Sequence, residues 1–137
     1  MCLLSHCNFF MCFVGEIVTC YVGEKLPTSV AIRRTDKAYL MRLGPNCYVD
    51  SRYSPLSLAR YINDCRTPSG HNVKFLKSKL EGCAWVIASR NIHRGEELFV
   101  DYGRWYWVTI KPIKLSYFRL EQLKESLKCE LMRASEV

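Results

Sequence analysis

The eight cysteines of this 137-residue chain, at positions 2, 7, 12, 20, 47, 65, 83 and 129, include no CxxC and no CxC pair. Structural zinc sites usually draw two ligands from one tight turn, so this spacing argues against such a site and no metal ligand is assigned. Several of the cysteines stand inside apolar, strand-like runs, where a free thiol behaves as a small hydrophobe. A reducing, intracellular compartment follows. Long apolar runs are missing too: the most apolar stretch, MCLLSHCNFFMCFV over residues 1–14, lacks a basic n-region and is followed by Glu16 too soon to span a bilayer. A signal peptide is disfavoured and no membrane partner is expected. No dense basic run marks a nucleic-acid stripe or a nuclear address, so sequence-specific nucleic-acid contact is not expected. A strand-helix-strand rhythm is also absent, which excludes a Rossmann-type methyltransferase or dehydrogenase.

Core-forming material is present. At 49% hydrophobic and 12% aromatic, the chain has enough apolar side chains for one compact domain. Twenty Lys and Arg against thirteen Asp and Glu give a net charge of +7, which suits nucleic acid, chromatin or an anionic cofactor, and equally a basic domain with no acidic partner. The basic residues are scattered, at Arg33, Arg34, Lys37, Lys74, Lys77, Lys79, Lys111 and Lys114.

Taken in order, Gly15 to Glu24 is β-branched and aromatic between two Gly-Glu pairs, which predicts a strand bounded by turns. Lys25 to Arg34 carries Pro27 and reads as a loop or irregular strand. Ala38 to Leu43 and Cys47 to Asp50 form a hairpin about Gly44-Pro45-Asn46. Ser54-Pro55 opens a helical turn, with Ser54 as cap and Leu56, Leu58, Ala59 and Ile62 inward. After a loop at Thr67 to Gly70, Asn72 to Leu76 and Gly82 to Ser89 pair across a basic turn. Gly95-Glu96-Glu97 is a further turn, Leu98 to Asp101 a short strand with Leu98 and Val100 on one face, and Tyr102-Gly103 its exit. His71 and His93 read as surface or loop residues rather than ligands or bases. From about Ser116, Leu120, Leu123, Leu127 and Leu131 recur at helical spacing, with Glu121, Lys124, Glu125 and Lys128 on the opposite face.

Four motifs stand in series: Tyr21-x-Gly23-Glu24; Arg60-Tyr61-Ile62-Asn63; Ile92-x-x-Gly95-Glu96-Glu97-Leu98; and Asp101-Tyr102-Gly103. Their order and spacing, from about Gly15 to Trp107, resemble the SET domain of protein lysine methyltransferases. The resemblance implies a β-rich α+β fold of small sheets around a pseudoknot, in which the segments at Asn63 and Tyr102 lie against each other. It implies domains at 1–14 (an atypical apolar segment), 15–107 (the SET domain) and 108–137 (an extension with the amphipathic helix). It further implies transfer of a methyl group from S-adenosyl-L-methionine to a lysine of a protein or peptide, histones among the targets, inside the nucleus or the cytoplasm with the nucleus favoured.

Site residues follow from the same resemblance. Tyr102 is the catalytic tyrosine. Arg60, Tyr61, Asn63, Asp64 and Trp107 belong to the cofactor site, and Tyr21, Val100 and Trp105 to the substrate channel, with Tyr21 and the two tryptophans able to serve either wall. Asn63 begins Asn63-Asp64-Cys65-Arg66 where the family has N-H-S-C-x-P-N, and His71 precedes Asn72 where proline is usual. An aspartate cannot copy an imidazole's stacking, so Asp64 alters the adenine pocket unless that contact is made by backbone. The family's early G-x-G falls near Cys2-Leu3-Leu4, whose bulk predicts a differently built or missing part of the pocket. Its cysteine-rich zinc segment has no counterpart, and the helix from Ser116 caps the channel or packs behind the sheet. Val100 occupies a position where the family often has Phe or Tyr, which leaves the product's methylation degree open. The competing expectation is a degenerate SET module that binds a protein partner without catalysis; oligomeric state is open.

Overall fold

The computed structural model describes residues 11–109. In chain order its strands are β1 (Met11–Cys12), β2 (Ile17–Tyr21), β3 (Glu24–Leu26), β4 (Leu40–Gly44), β5 (Cys47–Asp50), β6 (Val73–Ser78), β7 (Cys83–Ala88) and β8 (Ile92–His93). A short helix, α1 (Thr28–Ala31), follows β3, and 3-10 turns occur at Leu58–Tyr61 and Pro68–Gly70. The strands make three small antiparallel sheets, ordered β2-β7-β6, β3-β5-β4 and β1-β8. The chain is β-rich, as the sequence predicts.

Local chemistry accounts for most of these elements. β7 reads CAWVIA and is flanked on both sides, so it carries apolar residues on both faces and four of them are buried. β6 is an edge strand; it turns Val73 inward and exposes Lys74 and Lys77, charges that discourage pairing with a further strand. The hairpin of β4 and β5 turns at Asn46, whose φ of 51° is one that asparagine tolerates. The Asn46 side chain then accepts the Thr28 backbone N–H at 2.9 Å and so satisfies a free donor at the start of α1. Cys20 and Cys83 are free thiols on adjacent strands, and burial, with the neighbouring Cys83 thiol, pushes Cys20 up to about 12.

Two local expectations are corrected. The segment Lys25 to Arg34, expected as a loop or irregular strand, begins as strand, with β3 paired to β5, but Pro27 then passes the chain into the helix α1, which is too short to leave a periodic signal. The helical turn after Ser54 begins later and is a 3-10 turn that follows Ser57, whose side chain makes no capping hydrogen bond. Three residues per turn align Ala59 with Ile62, both buried at 1% exposure, and leave Leu56 at 87% and Leu58 at 47% facing outward.

The tyrosine-glycine motif after β2 has a structural cause. Val22 leaves the sheet, and two fully buried serines satisfy its backbone: Ser57 Oγ accepts from Val22 N–H at 3.2 Å and Ser51 Oγ donates to Val22 C=O at 2.6 Å. At Gly23 the backbone runs so close to Asp50 that a Cβ would stand 2.1 Å from its carbonyl oxygen, which only glycine avoids.

The core gathers Tyr21, Val73, Ala84, Val86 and Ala88 from one sheet and Leu43 and Val49 from another. Ala59, Ile62, Leu98 and Val100 join them from segments outside the named strands. The chain divides at Gly103/Arg104 into two compact units. The described part of the second is a helix, α2 (Arg104–Thr109), in which the Tyr106 and Trp107 rings meet edge-to-face at 5.2 Å. The expected helix from Ser116 lies outside the described residues. Among the described residues no helix is long and apolar enough to cross a membrane.

Candidate active site

The segment preceding Tyr102 threads between two upstream stretches, and backbone bonds hold it there. Asn63 and Phe99 form a parallel bridge, and Val100 N–H donates to Asn63 C=O at 3.0 Å. On the other side Asn72 and Val73 N–H both reach Phe99 C=O, at 3.0 and 3.1 Å. Leu98 to Asp101 is thus not a sheet strand. Its neighbours come from far along the chain, and it gains one bridge rather than a ladder, though Leu98 and Val100 are buried together as their alternation predicts.

Tyr102 is half-buried at the end of this seam. Its hydroxyl donates to Ile62 C=O at 2.6 Å and its backbone N–H to Asp64 Oδ2 at 3.1 Å. Asp101 then accepts Gly103 N–H at 2.7 Å, and Gly103 takes a φ of 83°, so the Asp-Tyr-Gly order is a turn that ejects the chain just after the tyrosine. The seam brings Tyr102 against the consecutive residues Ile62, Asn63 and Asp64, although Tyr102 lies 40 positions after Ile62 and 38 after Asp64 in the sequence.

The remaining expected residues take distinct positions. The Asn63 side chain is exposed and has no hydrogen-bond partner among the described residues. Tyr61 is half exposed, and the Arg60 guanidinium stacks on its ring at 4.6 Å and on Tyr39 at 5.8 Å. Arg60 also donates to Ser51 C=O at 3.2 Å, to Arg52 C=O at 2.6 Å and to the Tyr61 hydroxyl. Its two terminal nitrogens are therefore occupied by protein groups, while its buried Nε has no partner among the described residues. Tyr21 is buried at 6% exposure, edge-to-face with Phe75 at 5.9 Å, and its hydroxyl donates to Tyr39 C=O at 2.6 Å. Val100 is buried in the core. Trp105 and Trp107 stand on α2, in the second unit.

His71 stands in a loop, one of the two places expected of it, but its side chain is turned inward. Its side chain is 17% exposed and its Nε2 lies 2.9 Å from Asp64 Oδ1. Asp64, Cys65 and His71 each bring one donor atom within 4.8 Å of the others. These donors already have protein partners, the Cys65 thiol donating to Thr67 C=O at 3.4 Å.

Asn72 is a residue that the sequence pattern marks, after His71 where proline is usual, but to which sequence reasoning assigns no role. It is fully buried, its amide donates to Glu97 C=O at 2.8 Å and its Oδ1 accepts Phe99 N–H at 2.8 Å. An asparagine just before an apolar strand was the available signal. Behind it, the Arg90 guanidinium on the Glu96 carboxylate, with the His93 N–H and the Asn72 amide, holds Glu96 down at about 2 from 4.5. A depressed carboxylate contributes stability that is full above its unfolded pKa and is lost as pH falls through the folded one. The urea midpoint should therefore fall between about pH 4.5 and 2, and Glu96→Gln should flatten that part of the curve. An unchanged acid limb in the variant would mean that Glu96 does not carry it.

A small β domain whose chain is tied through itself, with a tyrosine presented at the tie, defines the class of protein. The SET domain family matches residues 13–103. The chain belongs to that family. It is similar, at 30% identity over 96 residues, to a protein of Cryptococcus neoformans var. neoformans serotype D (strain B-3501A) named histone-lysine N-methyltransferase, H3 lysine-4 specific. The match covers 64% of this chain and 6% of that much longer protein.

Proposed function

We propose that this chain is a protein-lysine N-methyltransferase that uses S-adenosyl-L-methionine, with Tyr102 as its catalytic tyrosine. The observation that carries the proposal is the double hold on Tyr102 beside Asn63. Because the hydroxyl donates its proton to Ile62 C=O, its oxygen lone pairs remain as acceptors. An acceptor there can orient an amine N–H and the polarised hydrogens of a transferring methyl group. In-line displacement needs reacting atoms held at near-attack distance, which a hydroxyl fixed at both ends of its residue favours.

The residues fit the cofactor's chemistry. When bound, it supplies an electrophilic methyl group on a sulfonium. The Asn63 amide, which has no partner among the described residues, can both donate and accept, and the half-exposed Tyr61 ring offers an apolar face for a base or a cation, held in place by Arg60. Asp64, whose carboxylate bonds to backbone and His71, would act through Tyr102 rather than by stacking. Tyr21 and Val100 would shape the channel wall from within the core. For Trp105 and Trp107 the proposal rests on the family resemblance alone.

Histone tails are the first substrates to test, since the relative named above carries that specificity in its name, and the nucleus would then be the compartment. Calorimetric titration of the full chain with S-adenosyl-L-methionine tests the proposal without knowledge of the substrate. Micromolar binding is expected, followed by labelled methyl transfer to lysine peptides. A folded sample that binds no cofactor would overturn it.

A further inference from the structure

The Asp64 side chain is only 2% exposed. A carboxylate so buried needs donors, and among those that converge on it are Arg66 N–H at 2.6 Å and His71 Nε2 at 2.9 Å on Oδ1, and Tyr102 N–H at 3.1 Å on Oδ2. An ionised carboxylate only accepts, so the imidazole presents Nε2–H to it. Asp64 lies two residues after Ile62, whose carbonyl takes the Tyr102 hydroxyl at 2.6 Å. One short upstream segment thus holds the tyrosine by its backbone and by its side-chain tip. His71 sits on the far side of that carboxylate and immediately precedes Asn72, which holds the same downstream segment at Glu97 and Phe99.

We propose that Asp64 and His71 act as one positioning pair for Tyr102: His71 orients the Asp64 carboxylate, and the carboxylate fixes the Tyr102 backbone from which the hydroxyl is aimed. This rests on Tyr102 being the catalytic tyrosine. Two of the positions where the chain departs from the SET sequence pattern are then a single device. Asp64 without His71 is a buried carboxylate that has lost one donor, and His71 without Asp64 has lost its acceptor. The pair works through hydrogen bonds at fixed distances, so removing either partner should free the same backbone N–H, and removing both should free it no further.

The test uses the full chain labelled with 15N-tyrosine, in the wild type, His71→Ala, Asp64→Ala, the double variant and His71→Gln, whose amide can also donate. Amide hydrogen exchange at Tyr102 should quicken about tenfold in each single alanine variant, the factor that the loss of one net hydrogen bond gives. The double variant should match the singles, and His71→Gln should recover most of the protection. Amides of β7 should keep wild-type rates in His71→Ala. Wild-type exchange at Tyr102 in His71→Ala would overturn the pair, as would additive effects or a rise shared with β7, which a merely structural role would produce. In methyl-transfer assays the same variants should lose kcat with KM for the cofactor unchanged, and unchanged kcat would overturn the positioning role. A wild-type chain with no transferase activity would sink the methyltransferase reading, and the exchange rates would still decide the pair.

Discussion

Tyr102→Phe should cut methyl transfer by about a hundredfold or more while leaving the protein folded, the loss typical when one group that touches the reacting atoms is removed. The substitution deletes the oxygen whose lone pairs are proposed to orient the amine, and nothing else. The ring remains packed against the core, and the backbone bond to Asp64 is untouched. Stability should fall modestly. The Ile62 carbonyl loses its 2.6 Å partner, a change of about 1 kcal/mol for a neutral hydrogen bond at a half-buried site. Circular dichroism and urea unfolding would confirm a folded variant, and turnover equal to wild type would remove Tyr102 from the mechanism. A rise in KM for the peptide with no fall in kcat would do the same, because it would assign the hydroxyl to ground-state binding.

The largest stability effect is expected at Asn72. Asn72→Ala leaves Phe99 N–H and Glu97 C=O without their 2.8 Å partners at a part-buried site, and a stranded group costs about 1–3 kcal/mol where water does not replace the partner. Together with the cavity left by a fully buried side chain, the loss should reach roughly 3–5 kcal/mol, a large share of a small domain's stability. Asn72→Asp discriminates hydrogen bonding from packing. It keeps the shape and still accepts from Phe99 N–H, but it cannot donate to Glu97 C=O, and it sets a second carboxylate beside Glu96, 3.4 Å away in the native contact. It should therefore be at least as destabilising as the alanine. A loss below about 1 kcal/mol for both variants, read from urea midpoints, would mean that the seam does not depend on this amide.

Both results would be felt at the same place, because the seam makes fold and site one object. The buried face of Leu98 and Val100 anchors the downstream segment in the core. Asn72 and Asn63 fix its depth from either side, and Tyr102 is delivered where the segment leaves. A substitution that loosens the seam therefore moves the tyrosine before it unfolds the sheets.

How much of this could be read in the residues depended on the range of the forces involved. The strand pairs β4-β5 and β6-β7 were legible, because alternation and turn residues such as Asn46 act over a few positions. The paired burial of Leu98 and Val100 was legible for the same reason. The four-residue helix α1 and the 3-10 turn at Leu58–Tyr61 were not, since elements of one turn carry too few residues to establish a period. Asp64 and His71 were read singly as departures from a pattern; only their side chains, 2.9 Å apart across a loop, make them a pair.

By itself, then, the sequence determined the β-rich character, the order of the turns, the family and the tyrosine around which a site can form, because each rests on local preference or on motif order. Only the tertiary structure decided what Asn72, Asp64 and His71 do. A polar side chain next to a loop is as easily solvated as buried. Its role is set when the segment before Tyr102 is threaded between Asn63 and Asn72, water is excluded, and every donor and acceptor left in the seam must find its partner in the chain itself.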